Sequence, residues 1–554
     1  MKMKSNFFFI LIYTITLLIW SPLSLADKNI TPNLETGWNA INMASLKKDV
    51  YYLSSDRLQG RLSLSAGDEK AIDWIQTQFK QIGLKPAFEN SYLQPVKLIE
   101  YIPDRKKTYI QLERANKIIQ WKKPDAITEY HEDLDITGDV VFAGYGITAP
   151  DLHYDDYQDI DVHGKIVLVF EHEPQENDAT SIFNGKANTI YATSRIKALN
   201  AQKHGAIAIL IAPEPNRKHP SNQERLARIG GSLKRKVPIP SQVLIDDELH
   251  IPIAVISDAI ANKIIGAHSS LSQLQTAIDK NLKPQSRAIP DAKITIFITN
   301  KSRGYGTTYN VVGLLEGSDS LLKNETIIIS AHHDHDGKSK EGIWHGADDN
   351  ASGTAGVISL ANAFMQNSLA KNGLELKRSL LFVVFAAEER GLLGAYHMTN
   401  HPIRDLKTTR AMINFDMIGR NELPSDQTNG IITIPNDTHN RLNLIGAHYS
   451  PSYLKTVIEE NQYIHLTLDD RFDNEPALNT FFRSDQFPFV LHQIPAFWWF
   501  TGFHPDYHHI TDTADKINYK KMQKILRLAY LTGYAFSNDA YPPEFITHPN
   551  FKKE

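Results

Sequence analysis

The stretch TIIISAHHDH, residues 326–335, decides the fold of the larger part of the chain. Its first six residues form a short, almost continuous apolar run, which is typical of a strand buried on both faces of a parallel sheet. The run ends in His332, His333, Asp334 and His335. Ligands of open α/β sheets bind at the carboxyl ends of the strands, so these polar residues mark a candidate site.

The same pattern recurs further along the chain. Strands are predicted at 310–315, 326–331, 380–386, 411–417 and 496–500, and helices at 352–366, 392–399, 451–461 and 515–536. This alternation indicates an α/β fold with a mixed, mainly parallel sheet sandwiched by helices. Further polar clusters close these strands or follow them: GADDNASG at 346–353, AAEERG at 386–391, NFDM at 414–417 and HPDYHH at 504–509. We expect the five clusters to converge at one edge of the sheet.

The composition excludes several classes of function. The chain of 554 residues has no cysteine, which excludes a disulfide scaffold, an iron–sulfur cluster and a cysteine nucleophile. Any metal must therefore be bound by His, Asp or Glu, and the chain contains 22 His. A net charge of −4 gives no electrostatic support for a nucleic-acid partner.

The first 26 residues have the layout of a cleavable export signal. Lys2 and Lys4 precede an uncharged run over 7–20, and the small residues of SLA at 24–26 precede the predicted cleavage point. The run is shorter than the roughly 20 apolar residues of a membrane span. We therefore expect an exported protein, periplasmic or secreted, with no stable membrane insertion after cleavage; an uncleaved anchor is the alternative.

Three segments follow the signal. Residues 27–134, with helical periodicity over 37–90 and antiparallel strands over 92–130, are expected to form one domain with residues 291–554. Residues 135–290 are predicted to be a smaller α/β domain inserted between them. GYGITA at 144–149 matches a dinucleotide-binding pattern, but Pro150 breaks the helix that such a site requires, so we expect a turn there.

The residue types of the five clusters favour divalent metal ions. His, Asp and Glu are ligands that suit zinc. Four carboxylates crowded beside two imidazoles would repel one another, and two cations about 3.5–4 Å apart would relieve that repulsion. One carboxylate must then bridge the cations, and another must stay free to move a proton. Each cluster alone is also compatible with a helix cap or a solvated turn, so the prediction depends on their occurring together.

Five motifs, H-x-D, G-A-D-D-N-A-S-G, A-E-E-x-G-L-x-G, N-x-D-M-I-G and Y-H-x-x-x-D-T, occur in this order over roughly residues 305–520. In this respect the chain resembles the co-catalytic dizinc aminopeptidase family, which also has glutamate carboxypeptidase-like and transferrin-receptor-like members. YLSSDRLQGR at 52–61 is similar to the N-terminal segment of that family. The segment 135–290 resembles the protease-associated domain that interrupts such peptidases. The resemblance implies a zinc exopeptidase-like fold carrying this smaller domain.

The resemblance also implies a ligand for each metal. Asp349 would bridge two Zn²⁺ ions, with His332 and Asp416 completing one site and Glu389 and His508 the other.

Other matched residues would take part in the chemistry around those ions. Glu388 would be the general base that takes a proton from a metal-bridging water. Asp334 would orient His332 by a hydrogen bond, which a metal-bound imidazole also requires on chemical grounds. Tyr507 is expected to hydrogen-bond the developing oxyanion. The additional histidines are expected to support the ligands or to lie on the surface: His333, His335 and His509.

The chain departs from the family pattern at two positions. Gln486 stands where many relatives have His, and Gln493 stands where Gly is more usual. Both lie outside the expected ligand set, so we expect them to change the wall of the pocket and not the binding of metal.

The expected activity is the removal of N-terminal residues from peptides. One alternative is a carboxypeptidase or another amide hydrolase on the same two-zinc site, because Arg390, Arg420 and Arg483 near the motifs could bind a free carboxylate. A second alternative is a non-catalytic, receptor-like binding protein, and a single-zinc transferase of the glutaminyl-cyclase type is a minor third. The sequence does not specify the preferred residue, the oligomeric state or the role of the inserted domain.

Overall fold

The structure is a computed structural model that describes residues 30–220, 224, 238–373 and 375–547. The export signal predicted at 1–26 lies outside the described residues. Within those ranges, none of the helices combines the length and the apolar character that crossing a membrane takes.

The helices of the described residues are α1 (Glu35–Ala40), α2 (Met43–Leu53), α3 (Ala66–Ile82), α4 (Ser194–Lys203), α5 (Asp258–Ile265), α6 (Leu271–Asn281), α7 (Gly353–Leu369), α8 (Leu393–Asn400), α9 (Pro451–Asn461), α10 (Gln486–Val490) and α11 (Tyr519–Asn538).

The strands are β1 (Lys85–Pro86), β2 (Leu93–Pro103), β3 (Tyr109–Arg114), β4 (Lys117–Trp121), β5 (Ala126–Glu129), β6 (Leu134–Phe142), β7 (Thr148–Ala149), β8 (Tyr154–Asp155), β9 (Ile166–Phe170), β10 (Ala208–Ala212), β11 (Ser241–Leu244), β12 (Ile253–Ile256), β13 (Arg287–Ile298), β14 (Asn300–Leu315), β15 (Thr326–His332), β16 (Lys338–Ser339), β17 (Gly342–Ile343), β18 (Ser379–Phe385), β19 (Thr409–Phe415), β20 (Arg441–Ile445), β21 (Thr467–Asp469) and β22 (Ala496–Phe500).

The first and larger sheet has the strand order β11-β2-β14-β18-β15-β19-β22-β20-β21, with β1 paired to β14. Its central strands β18, β15, β19 and β22 are parallel, whereas β14 and β20 run antiparallel to their neighbours β18 and β22. The sheet is therefore mixed, as predicted. Every residue of β15, β18 and β22 is buried, because helices cover both faces of the sheet.

The two faces of this sheet support separate cores. Helices α1, α2, α3, α7, α9 and α11 cover one face, over a core that includes Phe79, Ile329 and Trp499. Helices α8 and α10 cover the other face, over a core that includes Met398 and Trp498. Successive residues of a strand point to opposite faces, so the adjacent tryptophans of β22 belong to different cores.

Ser65 and Gly83 lie at the two ends of helix α3. The Ser65 hydroxyl accepts hydrogen bonds from the N–H groups of Gly67 and Asp68, which caps the first turn. Gly83 follows the last residue with a φ of 93° and donates its N–H to the carbonyl of Phe79. Glycine adopts this left-handed conformation without strain, so the helix ends at Gly83.

The second sheet has the order β4-β3-β13-β6-β9-β10-β12-β5, with β6, β9, β10 and β12 parallel. The antiparallel strands expected over 92–130 are divided between the sheets, since β2 joins the first and β3, β4 and β5 join the second. The second sheet thus begins before residue 135 and ends with β13 beyond residue 290. The domain limits 27–134, 135–290 and 291–554 remain predictions.

The inserted segment also contributes to the first sheet. Strand β11 comes from the middle of that segment, yet it pairs antiparallel with β2 at the edge of the larger sheet. In addition, the Tyr449 hydroxyl donates to the carbonyl of Asn188, at 2.9 Å. The two units are therefore joined by more than their chain connections.

The GYGITA segment forms a turn, as predicted. Gly144 and Gly146 have φ values of 51° and 69°. The Asp156 carboxylate accepts the N–H groups of Tyr145 and Ile147 at 2.9 and 3.1 Å, and so occupies the donors that a phosphate would need.

The buried side chain of Arg61 joins the N-terminal helices to the loops that follow β15. Its guanidinium donates to the carbonyls of Leu53, His333, His345 and Gly346 at 2.6–2.9 Å. Burial lowers the pKa of Arg61 to about 10, which still leaves the group charged at neutral pH. One cation thus donates to four carbonyl groups from three separate segments of the chain.

Replacement of Arg61 by Met is expected to lower the free energy of unfolding by about 3 kcal/mol or more, because it removes the guanidinium donor from the buried carbonyls of Leu53 and His333. Urea denaturation followed by circular dichroism measures this. The control is Arg57→Met at an exposed position of the same segment, where a change within about 0.5 kcal/mol is expected. Equal losses in the two variants would contradict the role given to Arg61.

Candidate metal centre

The predicted site residues lie at the carboxyl ends of the parallel strands. His332 is the last residue of β15, and Asp416 directly follows β19. Glu388 and Glu389 follow β18 in a short helical turn. Asp349 lies in the irregular turn Ala347–Ser352 before α7, where its peptide bond to the next residue is cis. His508 comes from the loop after β22.

One group of ligand atoms surrounds the imidazole of His332. Its Nε2 lies 3.6 Å from Asp349 Oδ1 and 3.5 Å from Asp416 Oδ1. Around a tetrahedral zinc ion with bonds near 2.1 Å, neighbouring ligand atoms lie about 3.4 Å apart. The three side chains therefore converge as ligands of a single metal ion do.

A second group surrounds the imidazole of His508. Its Nε2 lies 3.1 Å from Asp349 Oδ2 and 3.3 Å from Glu389 Oε2. Asp349 thus presents Oδ1 to the first group and Oδ2 to the second. The sequence predicts a bridging carboxylate, and the structure gives Asp349 the position that such a role requires.

The donor set fits divalent cations. Within the described part of the chain, the buried atoms His332 Nε2 and Asp416 Oδ1 have no hydrogen-bond partner, although they face each other. Burial raises the pKa of Glu389 to about 7 and raises that of Asp349 above its ordinary value. Ionised carboxylates are unfavourable there without positive charge, and bound metal would supply it.

Glu388 belongs to neither ligand group. Its Oε2 lies 3.7 Å from His332 Nε2, and the side chain lines the adjoining cavity. Burial raises the pKa of Glu388 well above its ordinary value, although His332 acts in the opposite direction. A carboxylate beside the ligands but outside their groups is placed to exchange a proton with substrate or water.

Asp334 has more partners than the prediction gives it. Its Oδ1 lies 3.7 Å from His332 Nδ1, and its carbonyl oxygen is closer to that nitrogen, at 3.3 Å. Its carboxylate accepts the N–H groups of Glu388 and Glu389 at 2.9 and 3.3 Å. Asp334 therefore positions the turn that carries the two glutamates, besides contacting His332.

Three further buried acids that interact with the ligands or their turn were not predicted. Asp336 Oδ2 lies 2.9 Å from His508 Nδ1, on the side of the ring away from the ligand atoms. Asp512 accepts the N–H groups of Asp348 and Asp349 at 3.0 and 3.2 Å.

Asp485 is the third. It is fully buried, and neither of its carboxylate oxygens has a hydrogen-bond partner among the described residues. Asp336 lies two positions after Asp334 in the same polar cluster, and this position is the only sequence feature that could have indicated its role. Nothing in the sequence distinguishes Asp485 from an ordinary polar residue.

The additional histidines have different environments. His335 is fully buried, and its Nδ1 lies 2.7 Å from Glu389 Oε1 and 4.0 Å from Asp349 Oδ2, so it belongs to the ligand cluster itself. His333 is buried against Asp68, at 3.0 Å. His509 is half-buried at a neighbouring pocket.

A cavity of about 270 Å³ opens onto the two ligand groups. Its apolar walls include Leu392, Met417, Phe482, Trp498 and Phe503. The indole of Trp498 therefore belongs both to the core and to the cavity wall.

Arg483 and Tyr507 are polar members of the same wall. An Arg483 Nη2 group donates to the Tyr507 hydroxyl at 3.2 Å. Burial raises the pKa of Tyr507 to about 12, so the hydroxyl keeps its proton at neutral pH. Of the three arginines considered from the sequence, Arg483 lines the cavity, whereas Arg390 pairs with Asp336.

The remaining arginine, Arg420, pairs with Asp506, away from the cavity wall. The two positions that depart from the family pattern also lie outside the ligand groups. The Gln486 side chain donates to the carbonyl of Phe481 at 2.9 Å. Gln493 has a φ of 59°, a conformation that glycine adopts more readily.

Comparison with known proteins gives two family matches. Residues 310–532 match the model of the family described as "Peptidase family M28", and residues 136–264 match that of the "PA domain". The first match contains all the ligand groups above. The second contains β9, β10 and β12 of the second sheet together with β11, which pairs in the first sheet.

Two curated relatives are aminopeptidases by description. Leucine aminopeptidase 2 from Arthroderma otae is 25% identical over 300 residues, 50% of this chain and 54% of that protein. A probable aminopeptidase from Saccharomyces cerevisiae is 32% identical over 152 residues, 27% of this chain and 39% of that protein. The chain thus spans about half of the length of the first relative and a smaller share of the second.

One solved structure shares the fold over nearly the whole chain. An aminopeptidase from Aneurinibacillus sp. strain AM-1 superposes with a TM-score of 0.51 at 20% identity, covering 93% of this chain and 98% of that one.

Replacement of Asp334 by Asn is expected to weaken the binding of divalent metal at least tenfold, because the amide cannot accept both glutamate N–H groups and lacks the charge. Competition with a chromogenic chelator measures the affinity. Asp473→Asn is the matched control, because Asp473 is also buried and accepts the N–H groups of Gly446 and Ala447 away from the ligands. A comparable loss of affinity in both variants would contradict the assignment.

Proposed function

We propose that the chain, which matches the models of peptidase family M28 and of the PA domain, is an exopeptidase with two zinc ions, specifically an aminopeptidase. The observation that carries the proposal is the pair of ligand groups that share Asp349 beside a cavity lined by Glu388. The descriptions of the curated relatives support the same activity.

Five residues would hold the two zinc ions. His332, Asp349 and Asp416 form one ligand group, and Asp349, Glu389 and His508 form the other. When bound, the ions would lower the pKa of a water molecule and polarise the scissile carbonyl. His335, which contacts Glu389, would restrain that ligand or join the second group.

Glu388 is the proposed proton carrier. The Glu388 carboxylate takes a proton from the attacking water and delivers it to the amine that leaves. The raised pKa of Glu388 in its buried position supports this role, because the protonated form is then accessible during the reaction. Asp334 holds the backbone of Glu388, which limits the movement of the carboxylate.

Tyr507 is proposed to stabilise the developing negative charge on the carbonyl oxygen. Its hydroxyl stays protonated and lines the cavity beside His508. Arg483 donates to that hydroxyl, which leaves the Tyr507 proton available for a substrate oxygen.

The substrate is proposed to be a peptide with an apolar N-terminal side chain. The cavity walls formed by Leu392, Met417, Phe482 and Phe503 would bury such a side chain. A volume of about 270 Å³ accommodates one residue of this kind and the bond to be cleaved, which favours exopeptidase activity.

A carboxypeptidase is the second candidate, and Arg483 is the observation that favours it. Its guanidinium lines the cavity, where it could bind the free carboxylate of a C-terminal residue.

We also propose that the protein is exported to the periplasm or secreted, on the basis of the signal-like residues 1–26. N-terminal sequencing of the protein from its native host tests this, with a start near Asp27 expected.

The activity is tested with aminoacyl anilides and with peptides blocked at either end. Leucyl anilide and C-blocked peptides are expected to be cleaved, N-blocked peptides are not, and a chelator is expected to abolish cleavage. Preference for N-blocked substrates would support the carboxypeptidase, and no cleavage of either would indicate a binding protein.

Replacement of Glu388 by Gln is expected to lower kcat by at least about 10²-fold, since the amide cannot carry the proton. The zinc content of the variant should equal that of the wild type, because Glu388 lies outside both ligand groups. The neighbouring variant Glu389→Gln is the comparison, and its zinc content is expected to fall because Glu389 belongs to a ligand group. A near-normal kcat for Glu388→Gln would show that another residue is the base.

Tyr507→Phe is expected to lower kcat by about 10²-fold with little change in KM, because the hydroxyl would act on charge that develops only in the transition state. Steady-state kinetics on leucyl anilide give both constants. A rise in KM at unchanged kcat would instead indicate a role in substrate binding.

A further inference from the structure

A second cluster of imidazoles and carboxylates lies in the unit of the second sheet, far along the chain from the candidate centre. It contains His172, Glu176, Glu214 and His219, whose ligand atoms lie within 4.8 Å of one another. His172 comes two residues after β9 and Glu214 two residues after β10, which are adjacent parallel strands. The cluster therefore occupies the edge of this sheet where α/β folds bind ligands.

The side chains of this cluster are shielded from solvent. His172 is 1% exposed and Glu214 is 3% exposed. The side chains of His219 and Glu176 are 6% and 9% exposed. Buried polar side chains are stable only with hydrogen-bond partners or a bound metal ion, so one of the two must stabilise this cluster.

Three side chains of the cluster direct possible metal-ligand atoms toward one another. His172 Nδ1 lies 3.2 Å from His219 Nδ1 and 3.2 Å from Glu214 Oε1. His219 Nδ1 lies 3.7 Å from Glu214 Oε2. These separations are close to the roughly 3.4 Å between neighbouring ligands of a tetrahedral zinc ion. Without a metal ion, one imidazole has to donate the single proton between the two Nδ1 atoms and the other has to accept it.

The outer side of each imidazole also has a partner. His219 Nε2 lies 2.9 Å from Glu176 Oε2, the carboxylate contact that metal-bound histidines usually make with their other ring nitrogen. His172 Nε2 lies 3.4 Å from the side-chain amide of Asn479, which belongs to the unit of the first sheet. Both rings are thus held with Nδ1 directed inward.

The charges around the cluster favour a cation. Arg217 lies 2.9 Å from Glu214, 3.4 Å from Glu176 and 3.5 Å from Asp279. Three carboxylates therefore share one guanidinium. The deficit of positive charge can be met by a proton on His219 or by a divalent metal ion, and the inward-facing Nδ1 atoms favour the metal.

We propose that His172, His219 and Glu214 bind a structural zinc ion, with Glu176 orienting His219. Imidazole and carboxylate ligands suit Zn²⁺ better than Ca²⁺ or Mg²⁺, which prefer oxygen alone. A water molecule would take the fourth position. Through the contact of His172 with Asn479, the ion would stabilise the junction between the two units of the chain.

The test compares the zinc content of full-length variants. Each protein is saturated with ZnCl₂, freed of unbound metal by desalting and analysed by inductively coupled plasma mass spectrometry. His172→Gln/His219→Gln is expected to hold one zinc ion per chain fewer than the wild type. The matched control His163→Gln, an exposed histidine of the same unit, is expected to hold as many as the wild type. Equal zinc in the double variant and the wild type would overturn the proposal.

A second measurement uses the unaltered chain, so it does not depend on the variants folding. Crystals soaked in ZnCl₂ are measured at the zinc absorption edge, and an anomalous peak is expected between the Nδ1 atoms of His172 and His219. The absence of a peak there overturns the proposal, whatever the candidate centre around Asp349 contains. It would show that a proton on His219 balances the carboxylates, in agreement with a pKa that these carboxylates raise to about 9 against the effect of burial.

Discussion

The buried guanidinium of Arg61 is the interaction on which the arrangement of the candidate metal centre depends. It binds the carbonyls of His333 and Gly346, which lie on either side of the loop between β15 and the turn that carries Asp349. The same group binds the end of α2 through Leu53. Ligand loops of this kind carry many carboxylates and few apolar contacts. A single cation with five N–H groups can hold several of their carbonyls at once, and it also offsets part of their charge.

The parallel strands then determine which residues can meet. Side chains that follow β15, β18 and β19 emerge at one edge, so residues from distant parts of the sequence come within 4 Å. Asp349 lies between the two histidines His332 and His508 and presents one oxygen to each. The second sheet repeats this arrangement with His172 and Glu214 at the ends of neighbouring parallel strands. One architectural rule thus produces both clusters.

Much of the fold was predictable from local pattern. Strand β22 and helix α9 coincide with the predicted 496–500 and 451–461, because a continuous apolar run and a proline-started amphipathic helix are local signals. Strands β20 and β21 at one end of the first sheet were missed, since they are short and carry polar residues such as Asn443 and Asp469. The pairing of β11 with β2 was also missed, because no local pattern tells which sheet a strand joins.

The sequence by itself determined the residue types of the candidate centre, their order and their places at strand ends, because motif spacing and the absence of cysteine are properties of the chain. It could not specify that Asp334 holds the turn of the two glutamates, that His335 contacts Glu389, or that Asp336 lies behind His508. Those contacts join residues more than 50 positions apart. The tertiary structure decided them, because only the packed loops bring these side chains within hydrogen-bond distance.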